Sequence, residues 1–430
     1  MSISRHHEAK QWLKNLPSGW RIVTVKQCAE ITYGFPADSE SFTTDPDYIP
    51  LIRIRDITSG NIQTYYSGTY PRESLINDED VLIGMDGDFN LRVWAGGQAL
   101  LNQRCCRVAG NTPEVTKFLS YTLPYALTEI HNLTLSTTVK HLLADGIEKA
   151  LLPLPDSTEE LRAIVSVLDA ETFKIDRAVD LLRQQLEALE LIKKSLIYEA
   201  VTKGIDPSVR MKPSAVEWIG DIPEHWHIDR ISNVTTRVGS GKTPLGGADT
   251  YVDEGIPLIR SQNIFDGELH LDDAVRIDEL TELSMIATRV RPGDVLLNIT
   301  GASIGRSCVV PESIGIANVN QHVCVIRPDL TSIDSTFLHY LWSTLGQEWV
   351  FRNQNGATRE ALTFREIRAA TFPVPSISTQ RRIVEKVQKD LLALNQTLSI
   401  KRQQLSLLNE QRRSLIFEYV TGKRRVSGVA

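Results

Sequence analysis

Two segments of the chain carry apolar residues at the seven-residue spacing of a coiled coil. Both lack an internal glycine or proline, so each pattern predicts one long α-helix with an apolar seam. We expect helices from Ser157 to Thr202 and from Ser376 to Thr421, each roughly 60–70 Å long at about 1.5 Å per residue. The seam positions are Leu161, Val165, Leu168, Ile175, Val179, Leu182, Leu186, Leu189, Leu196 and Ala200 in the first segment, and Val384, Val387, Leu391, Leu394, Leu398, Leu405, Leu408, Leu415 and Tyr419 in the second.

The ends of both helices have recognisable signals. Ser157 and Glu160 have the spacing of a capping box, and Pro155 just upstream prevents an earlier start. Gly204 and Gly422 follow the last seam residues and suit helix C-termini.

The two helical segments are copies of each other. Between Arg183 and Thr202, 11 of 20 residues are identical to those 219 positions later. The stretches before the helices repeat more faintly but in the same order. Recurring pairs are Ile49-Pro50-Leu51-Ile52-Arg53 with Ile256-Pro257-Leu258-Ile259-Arg260, Asp80-Val81-Leu82-Ile83 with Asp294-Val295-Leu296-Leu297, and Asn102-Gln103 with Asn320-Gln321. The chain therefore contains an internal duplication.

The regions between the long helices have a short, strand-like period. Strands are predicted at 21–25, 81–83, 105–108, 294–297 and 323–326, and shorter helices at 116–131 and 335–352. We therefore predict an α+β fold with two similar strand-rich α/β domains joined by two long antiparallel coiled-coil helices in a pseudo-twofold arrangement. The predicted boundaries are 1–151 for the first domain, 152–205 for the first long helix, 206–371 for the second domain, and 372–430 for the second long helix and a basic tail.

Composition narrows the class of protein. No apolar run reaches the roughly 18–20 residues that a membrane span needs, and residues 1–10 show no signal-peptide core, so we expect a cytoplasmic protein without a membrane partner. Five cysteines without a C-x-x-C pair are interpreted as reduced packing residues. The net charge is −6, yet residues 380–425 hold 11 Lys or Arg against 4 Asp or Glu. Such a run is either a solvated helix face or a surface for DNA or an acidic partner.

No catalytic, cofactor or metal site is apparent in the sequence. Gly239-Ser240-Gly241-Lys242-Thr243 imitates the end of a Walker A loop, but Thr236 stands where the first glycine is required. The nine histidines are scattered, and no methyltransferase or nuclease motif is visible.

The chain has the order domain, helix, domain, helix, with both pairs duplicated. Along this order lie the motifs Val216-Glu217-Trp218-Ile219-Gly220-Asp221-Ile222-Pro223-Glu224-His225-Trp226, Gly241-Lys242-Thr243-Pro244, Asn320-Gln321-His322, Pro373-Val374-Pro375 and Arg413-Ser414-Leu415-Ile416. In this order and these motifs the chain resembles the specificity subunit of a type I restriction–modification enzyme. The first domain departs from the second in having Gly34-Phe35-Pro36 where the second has Gly241-Lys242-Thr243-Pro244.

The resemblance implies a non-catalytic reader of double-stranded DNA. Each globular domain would be a target-recognition domain for one half of a bipartite site. The helices would set the spacing and recruit two adenine methyltransferase subunits, which would bind S-adenosylmethionine. A translocase–nuclease subunit is a further implied partner. The alternative is a coiled-coil assembly scaffold that reads no DNA.

Candidate DNA-binding residues follow from base-edge chemistry, because Arg can bind guanine, Asn or Gln can bind adenine, and Lys mainly meets phosphates. Gln103 and Gln321 have the alternative of capping backbone groups at a sheet end. The candidates are Arg53, Arg55, Arg92, Gln103 and Arg104 in the first domain, and Lys242, Arg260, Arg306, Gln321 and Arg359 in the second.

Two cations interrupt the helix seams at corresponding positions, Lys193 and Arg412. In a register that pairs Leu161 with Tyr419, Lys193 would lie near Glu385 and Asp390, and Arg412 near Asp169 and Glu171. We predict that these polar pairings fix the helix register, which is a known use of polar seam residues.

Overall fold

A computed structural model describes residues 11–133, 144–354 and 361–426. Its strands in the first half of the chain are β1 (Trp20–Thr24), β2 (Ala29–Tyr33), β3 (Phe42–Thr43), β4 (Ile49–Ile52), β5 (Tyr65–Tyr66), β6 (Leu75–Ile76), β7 (Val81–Gly84), β8 (Leu91–Val93), β9 (Ala99–Leu101), β10 (Cys105–Gly110) and β11 (Leu151–Pro155). Those in the second half are β12 (Met211–Pro213), β13 (Asp221–Pro223), β14 (His227–Arg230), β15 (Thr235–Ser240), β16 (Tyr251–Val252), β17 (Ile256–Ile259), β18 (Ile264–Phe265), β19 (Glu268–Leu269), β20 (Val275–Ile277), β21 (Val295–Asn298), β22 (Ser307–Val309), β23 (Asn318–Val319), β24 (Val323–Pro328) and β25 (Thr371–Val374).

The helices alternate with these strands in both halves. The α-helices are α1 (Val25–Cys28), α2 (Ile54–Ser59), α3 (Pro113–Leu133), α4 (Ala144–Glu148), α5 (Thr158–Lys203), α6 (Ile231–Val234), α7 (Glu279–Ser284), α8 (Ser335–Ser343), α9 (Leu345–Gln354), α10 (Phe364–Ala369) and α11 (Ile377–Val420). Short 3₁₀ turns lie at Gln11–Leu13, Ser39–Ser41, Arg72–Ser74, Gly247–Thr250, Ser261–Asn263, Ile286–Thr288 and Gly301–Ser303.

The duplicated sequence folds into duplicated sheets. In the first domain, one sheet has the antiparallel order β2-β10-β7-β8, and a second has the order β3-β5-β4-β9-β6 with β4 and β9 parallel. In the second domain the matching orders are β15-β24-β21-β22 and β16-β20-β17-β23, with β17 and β23 parallel. The structure thus confirms the α+β class and the two similar domains.

The long helices α5 and α11 confirm the coiled-coil prediction, with 46 and 44 residues respectively. The Ser157 hydroxyl accepts the backbone N–H of Glu160 at 3.2 Å, as the capping box requires. Gly204 and Gly422 close the helices with φ values of +77° and +69°, a left-handed conformation that favours glycine.

Helix halves and domains combine into two compact units. Unit 1 contains Met1–Arg183 and Gln403–Ala430, and unit 2 contains Gln184–Arg402. In unit 1 the buried core joins Phe118 of α3 to Leu168 of α5 and Tyr419 of α11. In unit 2 the core joins Phe337 of α8 and Val201 of α5 in the same way. Each domain is therefore packed directly on its own portion of both long helices.

Within each unit the two helices run antiparallel. In unit 1, Arg425 pairs with Glu160 at 2.9 Å, and Arg412 pairs with Asp176 at 2.7 Å. In unit 2, Arg402 pairs with Glu190 at 2.7 Å. Positions in α11 therefore fall in number as those in α5 rise, which confirms the predicted orientation.

One predicted helix differs from the structure. The segment 335–352 forms two helices, α8 and α9, rather than one. The break falls at Thr344, whose ψ of −84° is not helical and whose hydroxyl donates to the Tyr340 carbonyl at 2.7 Å. A side chain that bonds its own preceding turn competes with the regular helix, and the apolar pattern does not reveal this.

Candidate nucleic-acid interface

Three loops meet at one edge of each domain, where β4, β7 and β10, or β17, β21 and β24, end or begin. We name them loop A (53–56, which includes the first turn of α2, and 260–263, which includes a 3₁₀ turn), loop B (85–90 and 299–306) and loop C (102–104 and 320–322). They meet because the last residue of β7 faces the first of β10, while β4 and β9 end side by side.

The same backbone hydrogen bonds hold these loops in both domains. Loop C is tied to β4 or β17 by the bonds Asn102 N to Ile52 O and Asn320 N to Ile259 O, both 3.0 Å long. Loop B is tied to loop C by Met85 N to Arg104 O at 2.9 Å, and in the second domain by Ile299 N to His322 O at 3.1 Å. The backbone frame is thus conserved between the copies.

In the second domain the three loops surround an open cavity of about 440 Å³. It carries neutral hydrogen-bonding groups and one guanidinium, and a strip of such groups is suited to base edges in a DNA groove. The lining side chains include Ser261 and Gln262 from loop A, Thr300, Ser303 and Arg306 from loop B, and His322 from loop C.

Seven of the predicted DNA-binding residues lie on these loops, and five of the seven are exposed. Of these five, Arg55 is on loop A, Gln103 and Arg104 are on loop C of the first domain, Arg306 is on loop B and Gln321 on loop C of the second domain. Gln321 contacts the side chains of Thr243 and His322, the latter at 3.0 Å. The structure therefore places three of these candidates on the loops of the first domain and two on the loops of the second, and their contact with DNA remains a prediction.

Arg53 and Arg260 have a different setting. They are equivalent residues whose guanidinium groups lie over aromatic rings, with Arg53 5.5 Å from the Phe42 ring centroid and Arg260 5.9 Å from that of Tyr251. Each Nε is buried. This repeated cation–π arrangement gives both arginines a packing role inside the domain.

The remaining candidates have intramolecular partners or cannot be placed. Arg92 donates to the Ile57 carbonyl at 2.5 Å and to the Thr58 carbonyl at 3.1 Å, so it caps the C-terminus of α2. Lys242 donates to the Ser284 carbonyl at 2.6 Å and remains exposed. Arg359 lies outside the described residues.

The structure also places at the loops three residues that were not among the predicted DNA-binding candidates. They are Asn90 on loop B of the first domain, and Gln262 and His322 in the second. Two of them could have been found in the sequence from their position in the repeat. Gln262 aligns with Arg55, and His322 aligns with Arg104, when the two copies are aligned residue by residue. Asn90 aligns with Arg306 through matching backbone bonds, Gly84 N to Asn90 O at 2.9 Å and Asn298 N to Arg306 O at 2.8 Å.

The divergent loops that start at Gly34 and Gly241 make the same close crossing. A Cβ at Gly34 would lie 2.1 Å from the Asn102 carbonyl oxygen, and one at Gly241 would lie 1.6 Å from that of Val319. Both positions therefore require glycine because another strand end passes directly over them.

Lys193 and Arg412 occupy equivalent cavities between a domain and its helices. The Arg412 cavity in unit 1 has a volume of about 550 Å³ and includes Asp169 and Asp176. The Lys193 cavity in unit 2 has a volume of about 330 Å³, and its corresponding residues are the amides Gln388 and Asn395.

The observed helix register in unit 1 differs from the predicted one by about one heptad. Arg412 pairs with Asp176, through bonds of 2.7 and 3.2 Å, while Asp169 accepts a 2.5 Å hydrogen bond from Tyr121. Burial and this bond raise the pKa of Tyr121 to about 12. In unit 2, Asp390 binds Lys386 at 2.5 Å, and Lys193 lies beside Asn395 instead. A seven-residue seam is satisfied equally after a slip of seven residues, so the pattern could not distinguish the two registers.

The three loops occur once in each domain, and each domain packs on the long helices α5 and α11. This repeated arrangement defines a DNA-recognition protein with two similar domains. The family described as "Type I restriction modification DNA specificity domain" matches residues 17–191 and 223–406. The chain belongs to this family. It is accordingly a DNA-recognition subunit of a type I restriction–modification system and a non-catalytic one, as the sequence predicted.

Individual relatives agree with this assignment. The chain is 34% identical over 385 residues to the type I restriction enzyme EcoBI specificity subunit of Escherichia coli, covering 88% of this chain and 80% of the relative. It is 21% identical over 428 residues to the MjaVIII specificity subunit of Methanocaldococcus jannaschii, covering 96% and 95%. A solved structure on complex assembly and conformational transition of the type I R-M system has the same fold, with a TM-score of 0.65, 20% identity, and coverage of 95% of this chain and all of that one.

Within the described ranges, no helix is both long and apolar enough to span a membrane. All five cysteines are buried and free, in agreement with the packing role predicted for them.

Proposed function

We propose that each globular domain reads one half of a bipartite site in double-stranded DNA, using loops A, B and C. The observation that carries this proposal is the repetition of the loop frame, once in each unit. Two copies of one frame are expected to read two separate DNA segments, because each frame can contact only the few base pairs within its reach. The different side chains on the two frames would make the two segments different in sequence.

Sequencing of methylated adenines tests this proposal. A host expressing the chain with its partner methyltransferase should carry methyl groups within a motif of two specified segments separated by unspecified bases. A continuous motif would contradict the proposal. If the complex forms but binds random and genomic DNA equally, the chain is an assembly scaffold rather than a DNA reader.

The methyl donor belongs to the partner in this proposal. S-adenosylmethionine would be bound by the methyltransferase subunits, and the chain would supply only the recognition of the DNA sequence. Incubation of the purified chain with labelled S-adenosylmethionine and DNA should therefore transfer no label. Transfer of the labelled methyl group by the chain alone would contradict the proposal that the partner binds the methyl donor.

The long helices supply a docking surface for the methyltransferase in each unit. Phe173 and Leu181 of α5 are 64% and 53% exposed, and both lie outside the seam. Their repeat equivalents, 219 residues later, are Leu392 and Ile400 of α11, which are 63% and 56% exposed. Large apolar residues repeated on exposed helix faces indicate a protein interface. One pair lies in each unit, so we expect two copies of the same partner.

Native mass spectrometry of the assembled complex tests the docking surface. Phe173→Ser with Leu181→Ser should remove one methyltransferase copy, and Leu392→Ser with Ile400→Ser should remove the other. Leu245→Ser is a matched control, because Leu245 is 99% exposed but lies in a loop of the second domain. Retention of two copies in both double variants would refute this surface.

A further inference from the structure

We infer that three pairs of equivalent positions, 55 with 262, 90 with 306 and 104 with 322, determine which base pairs each domain accepts. This inference rests on the proposed DNA-reading function and gives it specific residues. One position lies on each of loops A, B and C, so the three side chains of a domain share one edge.

The first argument is the contrast between a constant frame and variable side chains. Residues that hold the frame are retained between the domains, as in the pairs Asn102 and Asn320 or Ile52 and Ile259. Loop A keeps its cap as well, because the backbone N–H of Arg53 donates to Asp56 and that of Arg260 donates to Asn263, both at 2.9 Å. The backbone hydrogen bonds that anchor the three loops are therefore shared by the two domains, although loop B has eight residues (299–306) in the second domain and six (85–90) in the first, while the side chains at the three positions differ.

The second argument is the kind of change at each position. The first domain presents Arg55, Asn90 and Arg104, whereas the second presents Gln262, Arg306 and His322. Arginine binds the O6 and N7 acceptors of guanine with two donors, while asparagine and glutamine pair with N6 and N7 of adenine. Two of the three substitutions thus exchange a guanine-binding group for an adenine-binding one, in opposite directions.

The third argument is that loop C and loop B change together. In the first domain the Arg104 Nη1 lies 3.6 Å from the Asp86 carboxylate. In the second domain the His322 Nδ1 lies 2.8 Å from the Thr300 hydroxyl. The guanidinium of Arg104 thus faces a carboxylate, and the imidazole of His322 faces a hydroxyl. Each loop C side chain is therefore oriented by a loop B side chain of complementary chemistry. The orientation of the reading side chain is therefore built into loop B.

The decisive experiment transfers the side chains of the first domain onto the second. The variant carries Gln262→Arg, Arg306→Asn, His322→Arg and the partner change Thr300→Asp, in the full chain expressed with its methyltransferase. Sequencing of methylated adenines in host DNA should show at least about a tenfold fall in methylation at the original sites. The half-site read by the second domain should change, and the other half-site should remain.

The controls separate the possible failures. Arg365→Asn matches the Arg306→Asn change at an exposed position on α10 and should leave the motif unchanged. An unchanged motif in the fourfold variant would overturn the inference while leaving the bipartite reader intact, whereas a wild-type motif without two segments would overturn the proposed function. If the fourfold variant fails to assemble, Gln262→Arg alone decides, because that side chain is exposed and its replacement must alter the same half-site.

Discussion

Asp294, the residue directly before β21, shows how a buried charge is held in the second domain. The residue is 1% exposed, and the Arg327 guanidinium binds its two carboxylate oxygens at 2.7 and 2.8 Å. The backbone N–H of Arg291 donates to the same carboxylate at 2.7 Å. A buried ion pair contributes little net stability against an apolar replacement, but removing one partner leaves the other charge without compensation.

Asp294→Asn should therefore lower the free energy of unfolding of the second domain by about 3 kcal/mol. Urea denaturation followed by tryptophan fluorescence measures this loss. The first domain offers a control, because Asp80, the repeat equivalent of Asp294, lies 3.8 Å from the Arg107 guanidinium, and these side chains are 16% and 22% exposed. Asp80→Asn should cost no more than about 1 kcal/mol. Equal losses in both domains would contradict this account.

His339 makes the second domain sensitive to acid. Burial lowers its pKa to about 4, with a further contribution from the positive charge of Lys193, and its Nδ1 contacts the Ser307 hydroxyl at 3.0 Å. The unfolded chain binds a proton at this histidine near pH 6.5, whereas the folded chain does so only near pH 4. Stability contributed by the neutral ring is complete above pH 6.5 and is lost as pH falls toward 4, by up to about 3 kcal/mol.

We therefore expect the melting temperature of unit 2 to fall between pH 6.5 and 4 in the wild type and to vary less in His339→Gln. The equivalent residue of the first domain is Ser120, so unit 1 lacks this contribution. Calorimetry at several pH values distinguishes the variants. An unaltered pH dependence in His339→Gln would show that other groups cause the acid sensitivity.

At the scale of elements, the crossing at Gly241 connects the strand β15 to loop C. A methyl group at residue 241 would overlap the Val319 carbonyl, which precedes the Asn320–His322 segment directly. Gly241→Ala should thus destabilise the second domain by about 3 kcal/mol and weaken DNA binding, because loop C must move. Gly239→Ala is the matched control on the same strand, where a Cβ meets no atom within 4 Å. Similar effects of both changes, by denaturation and DNA titration, would refute the crossing argument.

The sequence predicted elements well where a periodic pattern specified them. The seams, the cap at Ser157 and the glycines at 204 and 422 located both long helices because each feature acts locally. The register of the two long helices could not be predicted from the apolar pattern. It depends on which charged side chains pair between the helices, as Arg412 and Asp176 do. At the candidate site, residue type alone could not separate Arg104, which is exposed at a loop, from Arg53, which is packed over Phe42.

The whole molecule has an acidic balance that is unusual for a DNA reader. The net charge is −6, and the basic excess lies in residues 380–425, most of which belong to α11 rather than to the loops. Few cations on loops A, B and C are therefore available for phosphates. We infer that partner subunits supply a large share of the electrostatic attraction to DNA.

Salt titration of DNA binding tests this inference. The exposed arginines on the loops are Arg55, Arg104 and Arg306, so the slope of log affinity against log salt for the isolated chain should be no steeper than about −3, even if all three also meet phosphates. The assembled complex should be steeper, because each added phosphate contact contributes about −0.9. Equal slopes for the isolated chain and the complex would place the phosphate contacts on this chain after all.

The burial of all five cysteines has a practical consequence for spectroscopy. Burial raises the pKa of Cys28 to about 11 and those of Cys106, Cys308 and Cys324 to about 12, and it raises that of Cys105 as well. The native thiols thus remain protonated and shielded from maleimide dyes at neutral pH. A Leu245→Cys variant should accept a single fluorophore, which would let the docking of DNA be followed one molecule at a time without first removing any natural cysteine.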